Sequence, residues 1–248
     1  SHYGVYKLAN EGTARIYAQD DGVPSVGLRP LAIYGPGRDQ GLTSDPSRSM
    51  LSVLLGRPFE IGFGGFGDRR GNVAVTGPGL RGSGGALAVG LDGRPTVSMV
   101  RSNRPRGEST FRVGFDFNAN GADPRGGSVE ILRLLDEVAH VKVALEPGVL
   151  GRKLALWVRT GTNQFRKVGA LGIPKRGTVR VTVDWMRASA AGVADGQAAL
   201  TIGDRRSIRA LGLANRNRIL RRVMLGLPGG SAGAAVGTLL FDNYASTP

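Results

Sequence analysis

The stretch Val179–Trp185 reads VRVTVDW, and the stretch Phe111–Phe117 reads FRVGFDF. In both, an apolar residue occupies every second position and alternates with Arg, Thr, Gly or Asp. This period of two is typical of a β-strand that buries one of its faces. The sequence therefore predicts a strand at each of the two stretches.

Shorter runs of the same kind continue through the chain after residue 70, with Gly, Asn or Asp between most of them. About a dozen short strands at this spacing predict an antiparallel sandwich or barrel. Ser128–Val138 fits either a short helix or a strand. The further predicted strands are Asn72–Thr76, Ala86–Gly90, Thr96–Arg101, His140–Leu145, Lys153–Arg159, Gln164–Val168, Ala198–Ile202, Leu220–Gly226 and Thr238–Tyr244.

The first 65 residues follow a different pattern, in which helices and strands alternate. Val5 to about Gln19 predicts a helix that ends at Asp21-Gly22. The other predicted elements are a strand at Pro24–Arg29, a helix at Pro46–Leu55 and a strand at Pro58–Phe63. This order is typical of an α/β fold. We therefore predict two domains, an α/β segment over 1–65 and a β-sandwich over 66–248.

Composition excludes several classes of site and of protein. The 248 residues contain no cysteine, which excludes disulfides and a thiol nucleophile, and the two histidines argue against a multi-histidine metal site. No run approaches the ~20 apolar residues that a membrane helix needs, so no membrane span is expected. A hydrophobic share of 41% is that of a folded chain.

The charge is distributed unevenly along the chain. Residues 1–65 hold six bases and six acids, so the net charge of +14 lies entirely in residues 66–248. Arginine dominates the bases, either through selection for phosphate or carboxylate contacts or through genome composition. Basic pairs such as Arg221-Arg222 could attract an anionic polysaccharide or glycan. Nucleic acid is not an expected partner, because few aromatic residues lie among the bases and no nucleic-acid motif occurs.

The N-terminal part carries a Tyr-x-x-x-Lys motif at Tyr3 and Lys7, followed by GVPSVGLRPLAIYGPGRDQGLTSDP and LLGRPFEIGFGG. Over residues 3–65 it resembles the NAD-dependent epimerase/dehydratase family of extended short-chain dehydrogenases. The resemblance implies that Tyr3 transfers protons, that Lys7 activates it and holds the nicotinamide ribose, and that Pro30 contacts the cofactor. The family's glycine-rich phosphate loop belongs upstream of this motif, so we expect an inactive segment, a remnant or a fusion junction, with no cofactor for this chain.

The second part carries TVRVTVDWMRASAAGVADGQAALTIGD and RVMLGLPGGSAGAAVGTLLFDNYAS. Over residues 72–246 it resembles a concanavalin-type, laminin-G-like β-sandwich, a jelly roll found in bacterial surface and carbohydrate-active proteins. The resemblance implies non-catalytic binding of a carbohydrate or surface ligand. Two alternatives remain: NAD-dependent epimerase/dehydratase activity if the missing half is supplied elsewhere, and a purely structural module. The sandwich suggests a secreted or cell-surface protein, and the epimerase-like segment suggests the cytoplasm.

The candidate ligand-binding and calcium-binding residues of the sandwich are identified one by one. Trp157 is out of phase with Leu154, Leu156 and Val158, so we expect an exposed aromatic that binds ligand, with Arg221 and Arg222 as further candidates. Asp195 and Asp242 are weak calcium candidates by analogy with relatives. Trp185 is expected in the core and His140 at the surface or as a cap. After residue 66 no Glu-x-Asp-x-Glu run provides the paired carboxylates of a glycosidase.

We predict that the purified chain does not bind NAD measurably. The dinucleotide's pyrophosphate needs the backbone amides of a glycine-rich loop at a helix N-terminus, and no such loop occurs in this sequence. Calorimetric titration with NAD checks this. Binding at micromolar concentration would overturn the prediction and would favour the epimerase/dehydratase alternative.

Overall fold

The computed structural model describes residues 2–24, 51, 55, 68–93, 97–102, 107–149, 151–160, 164–204, 206–229 and 234–247. The chain divides into two compact units, residues 1–59 and 60–248. This division falls six residues before the boundary predicted at residue 65. In the described part no helix is both long and apolar enough to cross a membrane.

Helix α1 (His2–Asp20) confirms the predicted N-terminal helix. Gly22 adopts a φ of +65°, and the N–H of Val23 donates to the carbonyl of Tyr17 at 3.2 Å. The left-handed Gly22 turns the chain back onto the last helical turn, so the helix ends at the Asp21-Gly22 pair as the sequence predicted. The remaining elements predicted before residue 65 lie outside the described residues, except that Leu51 is helical and its carbonyl accepts from the N–H of Leu55.

The second unit is built from β-strands, with one short 3₁₀ turn at Leu80–Gly82. The strands are β1 Asp68–Arg70, β2 Val73–Thr76, β3 Ala86–Asp92, β4 Ser98–Ser102, β5 Thr110–Asn118, β6 Val129–Leu135, β7 Ala139–Gly148, β8 Gly151–Arg159, β9 Phe165–Ile173, β10 Val179–Met186, β11 Gly196–Ile202, β12 Arg206–Leu213, β13 Arg222–Leu227 and β14 Val236–Thr247.

These strands form two seven-stranded antiparallel sheets. Sheet A has the order β1-β4-β13-β6-β7-β8-β9, and sheet B has the order β12-β11-β10-β5-β14-β3-β2. Neighbours in each sheet are often distant in sequence, as where β14 lies between β3 and β5. The predicted antiparallel sandwich is therefore confirmed, and its strands cross over between the two sheets.

The alternating stretches Phe111–Phe117 and Val179–Trp185 are neighbours at the centre of sheet B. Strand β10 pairs antiparallel with β5, so that Val181 lies opposite Phe115 and Val183 opposite Val113. All four side chains are fully buried. They face sheet A, whose inward side chains on β6, β7 and β8 complete a single core. Alternation alone places these residues, because successive strand residues point to opposite faces.

The alternative left open at Ser128–Val138 is decided, and two strands were missed. The strand β6 (Val129–Leu135) forms within this range, because it lies between β13 and β7 and buries Ile131, Leu132 and Leu134 completely. Apolar residues at helical spacing suit a strand here, since a bulge between Glu130 and Leu132 breaks the alternation. Strands β1 and β12 were not predicted. Both are edge strands, and β12 buries only Ala210 and Leu213.

We predict that Phe117→Ala destabilises the sandwich by about 3–5 kcal/mol, the usual cost of a large cavity in a well-packed core. Phe117 is fully buried, and its ring lies 5.2 Å from that of Phe241. Val75→Ala is the control, since Val75 is 51% exposed and its truncation should cost under about 0.5 kcal/mol. Urea unfolding of both variants checks the difference. Equal losses would contradict this assignment of the core.

Candidate functional site

One row of paired residues crosses all seven strands of sheet A, and its described side chains from Met224 to Lys167 lie on the outer face. Pairing places Asp68 opposite Arg101, Arg101 opposite Met224, and Met224 opposite Arg133. The row then continues through Lys142 and Trp157 to Lys167. Strands lie about 4.8 Å apart, so the row spans roughly 29 Å. We call it the transverse row.

Cations lie over aromatic rings at the β9 end of the transverse row. Lys142 Nζ is 4.1 Å from the centre of the Phe165 ring, and Lys167 Nζ is 5.5 Å from the centre of the Trp157 ring. The Arg159 guanidinium also lies 5.2 Å from Phe165. Such contacts are attractive and hold long side chains in place. The face therefore presents half-buried rings bordered by positive charges.

Two carboxylates on this face are occupied by bases. Glu130 accepts two bonds from the Arg133 guanidinium, at 2.5 and 2.9 Å, and its Oε2 lies 3.4 Å from Lys142 Nζ. Glu146 Oε2 lies 2.5 Å from Lys167 Nζ and 3.7 Å from Lys153 Nζ. Each carboxylate thus fixes two bases in position, and neither is free of ion pairs.

Beside the transverse row lies a row of alanines. Ala144 pairs with Ala155, and Ala155 with Ala170. Because the alanine side chains are short, Lys167 of the transverse row can reach across them to Glu146, which lies in a third row on the other side of the alanines. That third row consists of Glu146, Lys153 and Gly172. On β7, β8 and β9 the short alanine side chains thus separate the larger side chains of the transverse row from Glu146 and Lys153.

The structure places the candidate residue Trp157 on this outer face, half-buried. Arg222 lies two residues before Met224 on β13 and so faces the same side, roughly 16 Å from Trp157 when three strand spacings and the two-residue offset along the strand are combined. Arg221 is exposed just before β13, and its backbone N–H donates to Leu135. Ligand binding by these three residues stays a prediction.

Sequence reasoning did not identify four further residues of this face, which are Arg133, Lys142, Phe165 and Lys167. Lys167 belongs to the basic pair Arg166-Lys167, which was one of several similar pairs in the sequence. No sequence signal distinguishes it, because a bulge in the β8–β9 pairing sets its position opposite Trp157.

The two calcium candidates lie at different ends of sheet B. Asp195 is exposed, and its carboxylate accepts from the N–H of Ser189 at 2.8 Å. Asp242 is buried and accepts from the N–H of Leu80 at 2.7 Å and from the Ser83 hydroxyl. Among the described residues no group of three acidic or histidine side chains is placed to hold a metal ion. Calcium binding therefore gains no support from their positions.

Trp185 lies in the core as predicted, but the prediction for His140 is wrong. The His140 side chain is buried rather than exposed, and its ring stacks on that of Trp185 with centroids 6.5 Å apart. Its Nε2 lies 3.1 Å from Asp136 Oδ2. The β6–β7 pairing shifts between Leu134 and Leu135, which interrupts alternation beside His140 and allows its ring to turn inward.

Burial determines the protonation of His140. Desolvation lowers its pKa below 6.5, the nearby Asp136 carboxylate acts in the opposite direction, and the charges of Arg218 and Arg159 add to the lowering. For Asp136, burial alone would raise the pKa. Hydrogen bonds from Val138 and His140 lower it overall, and the charge that His140 carries when it is protonated adds to this lowering. His140 is therefore held as the neutral imidazole at neutral pH.

The residues of the epimerase-like motif are only partly described. Tyr3 and Lys7 both lie in α1, where a spacing of four puts them on one helix face. Their side chains and the whole of Pro30 lie outside the described residues. Their catalytic and cofactor-binding roles, and NAD itself, stay as predicted from the resemblance.

Comparison with known proteins supports the fold alone. No model of a known protein family matches the sequence, and no curated protein does. A solved structure of botulinum neurotoxin type C, described by the dependence of its cell entry on two ganglioside molecules, matches with a TM-score of 0.51 at 10% identity, covering 72% of this chain and 42% of that chain. The fold is a concanavalin-like jelly roll.

Two alginate lyases have similar folds at slightly lower scores. One covers 66% of this chain and 75% of its own at 8% identity and a TM-score of 0.49. The other, from Pseudomonas aeruginosa, covers 73% and 87% at 13% identity and a TM-score of 0.48. Neither comparison with sequences supports the epimerase resemblance of residues 3–65.

We predict that the sandwich loses stability as pH falls from about 6.5, the pKa of His in an unfolded chain. The folded pKa of His140 is lower, so the unfolded chain binds a proton that the folded chain does not. The loss can reach at most about 1.4 kcal/mol per pH unit for one proton and ends below the folded pKa. Urea midpoints between pH 7 and pH 5 measure it.

His140→Phe keeps a ring beside Trp185 and removes the titration, so its midpoint should change less over this range. His2→Gln is the matched control, because it removes the other histidine and should keep the wild-type dependence. The same pH dependence in His140→Phe as in the wild type would contradict the assignment.

Proposed function

We propose that this protein binds an acidic polysaccharide on the outer face of sheet A, without catalysing its cleavage. The observation that carries the proposal is the transverse row, in which Arg133, Lys142 and Lys167 share one line across the sheet with Trp157. A line of this length matches an extended chain-like ligand better than a compact small molecule.

The outer face of sheet A has a positive balance of charge. Among the side chains that the structure describes, six bases face outward and two acids do, which leaves four positive charges. The bases are Arg133, Lys142, Lys153, Arg159, Lys167 and Arg222, and the acids are Glu130 and Glu146. Clustered like charges create a potential that attracts an anionic chain and speeds its association.

Aromatic rings supply the second part of the recognition. Trp157 and Phe165 are half-buried, so part of each ring is fixed by neighbours and part remains available. A flat apolar ring surface suits the C–H face of a sugar. The lysines at the ring faces and edges place ammonium groups where carboxylate or sulfate groups of the same sugar chain would lie.

The carboxylates of this face do not suit glycosidic cleavage. Pairing of β6 with β7 puts Glu130 opposite Ala144 and so diagonal to Glu146, a relation that spacing along the sequence did not reveal. Hydrolysis needs one carboxyl group that donates a proton and another that acts as base or nucleophile. Here each carboxylate is held between two bases, which supports binding rather than acid catalysis.

A precedent comes from the botulinum neurotoxin that resembles this fold, which is described as interacting with gangliosides. The alternatives inferred from the sequence were NAD-dependent epimerase/dehydratase activity with a supplied second half and a purely structural module. No contact among the described residues favours either of them, whereas the transverse row favours a ligand-binding face.

We predict that Trp157→Ala weakens binding of alginate or heparin by about tenfold, equivalent to about 1.4 kcal/mol, because the ring surface is lost. Lys167→Gln should weaken it severalfold, and its effect should shrink at high salt as screening increases. Calorimetry or retention on an immobilised-polysaccharide column measures both.

Arg209→Gln is the matched control, because it removes the same charge from an exposed residue of sheet B. It should leave binding nearly unchanged. Equal losses for Lys167→Gln and Arg209→Gln would show that the polysaccharide responds to net charge alone, and the proposed binding face would be wrong.

A further inference from the structure

A depression of about 420 Å³ lies where the β7–β8 hairpin meets the ends of β9 and β12. Three of its lining residues are bases, namely Arg152, Lys153 and Arg206, and no carboxylate lines it among the described residues. Glycines at 148, 151 and 172 form part of its wall. The described residues that line the depression therefore make it open, polar and positively charged.

Arg152 is a buried cation that has no acidic partner among the described residues. Its side chain belongs to a residue only 9% exposed, and its guanidinium donates to the carbonyls of Lys175 at 3.0 Å and Gly121 at 2.9 Å. In the described part of the chain no carboxylate lies within ion-pair distance of it. Carbonyl dipoles hold the group in place, but a buried charge is normally compensated by an opposite one.

The other two bases are also incompletely compensated. Lys153 Nζ lies 3.7 Å from Glu146, but the same carboxylate oxygen lies much closer to Lys167. One carboxylate between two lysines leaves one positive charge. Arg206 donates to the carbonyl of Gly172 at 2.8 Å, a neutral partner that holds its guanidinium at the depression.

A neighbouring depression provides an internal contrast. It measures about 350 Å³, shares Gly151 and Arg152, and includes Asp123 and Lys175 among its lining residues. Its own carboxylate offsets a positive charge. The described lining of the depression beside Lys153 contains no carboxylate, so an anion from outside would be attracted to that side of Arg152.

We propose that the depression lined by Arg152, Lys153 and Arg206 binds an oxyanion, the sulfate or carboxylate group of an acidic glycan. This rests on the proposed function, because Lys153 and Gly172 belong to the outer face of sheet A and join the depression to it. Guanidinium groups present paired N–H donors that match oxyanions, and an ammonium adds a point charge.

A substitution at Gly172 can test the proposed oxyanion site directly. A Cβ at this position would meet no heavy atom within 4 Å, and its φ lies outside the left-handed region. Gly172→Glu therefore adds a carboxylate at the depression without strain. Gly84→Glu is the matched control, since Gly84 is equally open and lies between the 3₁₀ turn and β3, outside the lining of the depression.

Calorimetric titration with sodium sulfate, at ionic strength held constant with chloride, is the experiment. The wild type and Gly84→Glu should bind sulfate with saturation, and Gly172→Glu should bind at least about tenfold more weakly. Lys153→Gln should also weaken sulfate binding severalfold. This variant gives a second test of the site that does not depend on a glycine substitution. Glucuronic acid and glucose 6-sulfate, titrated separately, show whether carboxylate or sulfate is preferred.

Equal sulfate binding by Gly172→Glu and Gly84→Glu, or binding without saturation, would overturn the oxyanion site. Trp157→Ala separates this proposal from the binding face, because it should weaken polysaccharide binding about tenfold and keep sulfate binding. A further outcome is that Gly172→Glu loses sulfate binding but neither the wild type nor any variant binds polysaccharide. The depression would then be an anion site, and only the proposed polysaccharide-binding function would be wrong.

Discussion

Each strand of the sandwich must bury one of its two faces, and this constraint positions everything else. Val181 and Val183 face the core opposite Phe115 and Val113, so Thr182 and Asp184 must face outward. A slip of one residue would exchange the two sets and bury charge. The same constraint on sheet A turns Lys142 and Trp157 outward as soon as Val141, Leu156 and Val158 are buried. The candidate site is thus a consequence of the core.

Which outward residues become neighbours is set by two bulges. Between Leu156 and Trp157 the β8–β9 pairing skips Val168, so Trp157 lies opposite Lys167. Between Glu130 and Leu132 the β6–β7 pairing skips Ile131, so Arg133 lies opposite Lys142. Without the bulges an apolar residue would take each place. Each bulge shifts the register by one residue and thereby adds a base to the transverse row.

Alternation made the sandwich, its central strands and the outward position of Trp157 predictable from the sequence. Edge strand β12 was not, because Arg206 and Arg209 interrupt its apolar pattern and little of it is buried. His140 was placed at the surface because a polar residue beginning a strand usually lies there, whereas an irregular register turns it onto Trp185. The site itself was not predictable, since its residues meet only through pairings between distant strands and through bulges that leave no clear signal in composition.

The surplus of arginine is a poorer guide to the site than the scarce lysines. Within the described part of the chain, seven arginines donate to backbone carbonyls and so connect loops and sheets; they are Arg152, Arg159, Arg180, Arg187, Arg206, Arg216 and Arg218. A guanidinium suits this role because it offers five donors in a rigid plane. Others, such as Arg112 with Asp184, neutralise acids of sheet B. The chain has only five lysines, yet three of them, Lys142, Lys153 and Lys167, lie on the outer face of sheet A. Much of the positive charge counted from the sequence therefore stabilises the fold through hydrogen bonds and ion pairs. The lysine ammonium groups, in contrast, lie mostly on the outer face of sheet A, where they are available to an anionic chain.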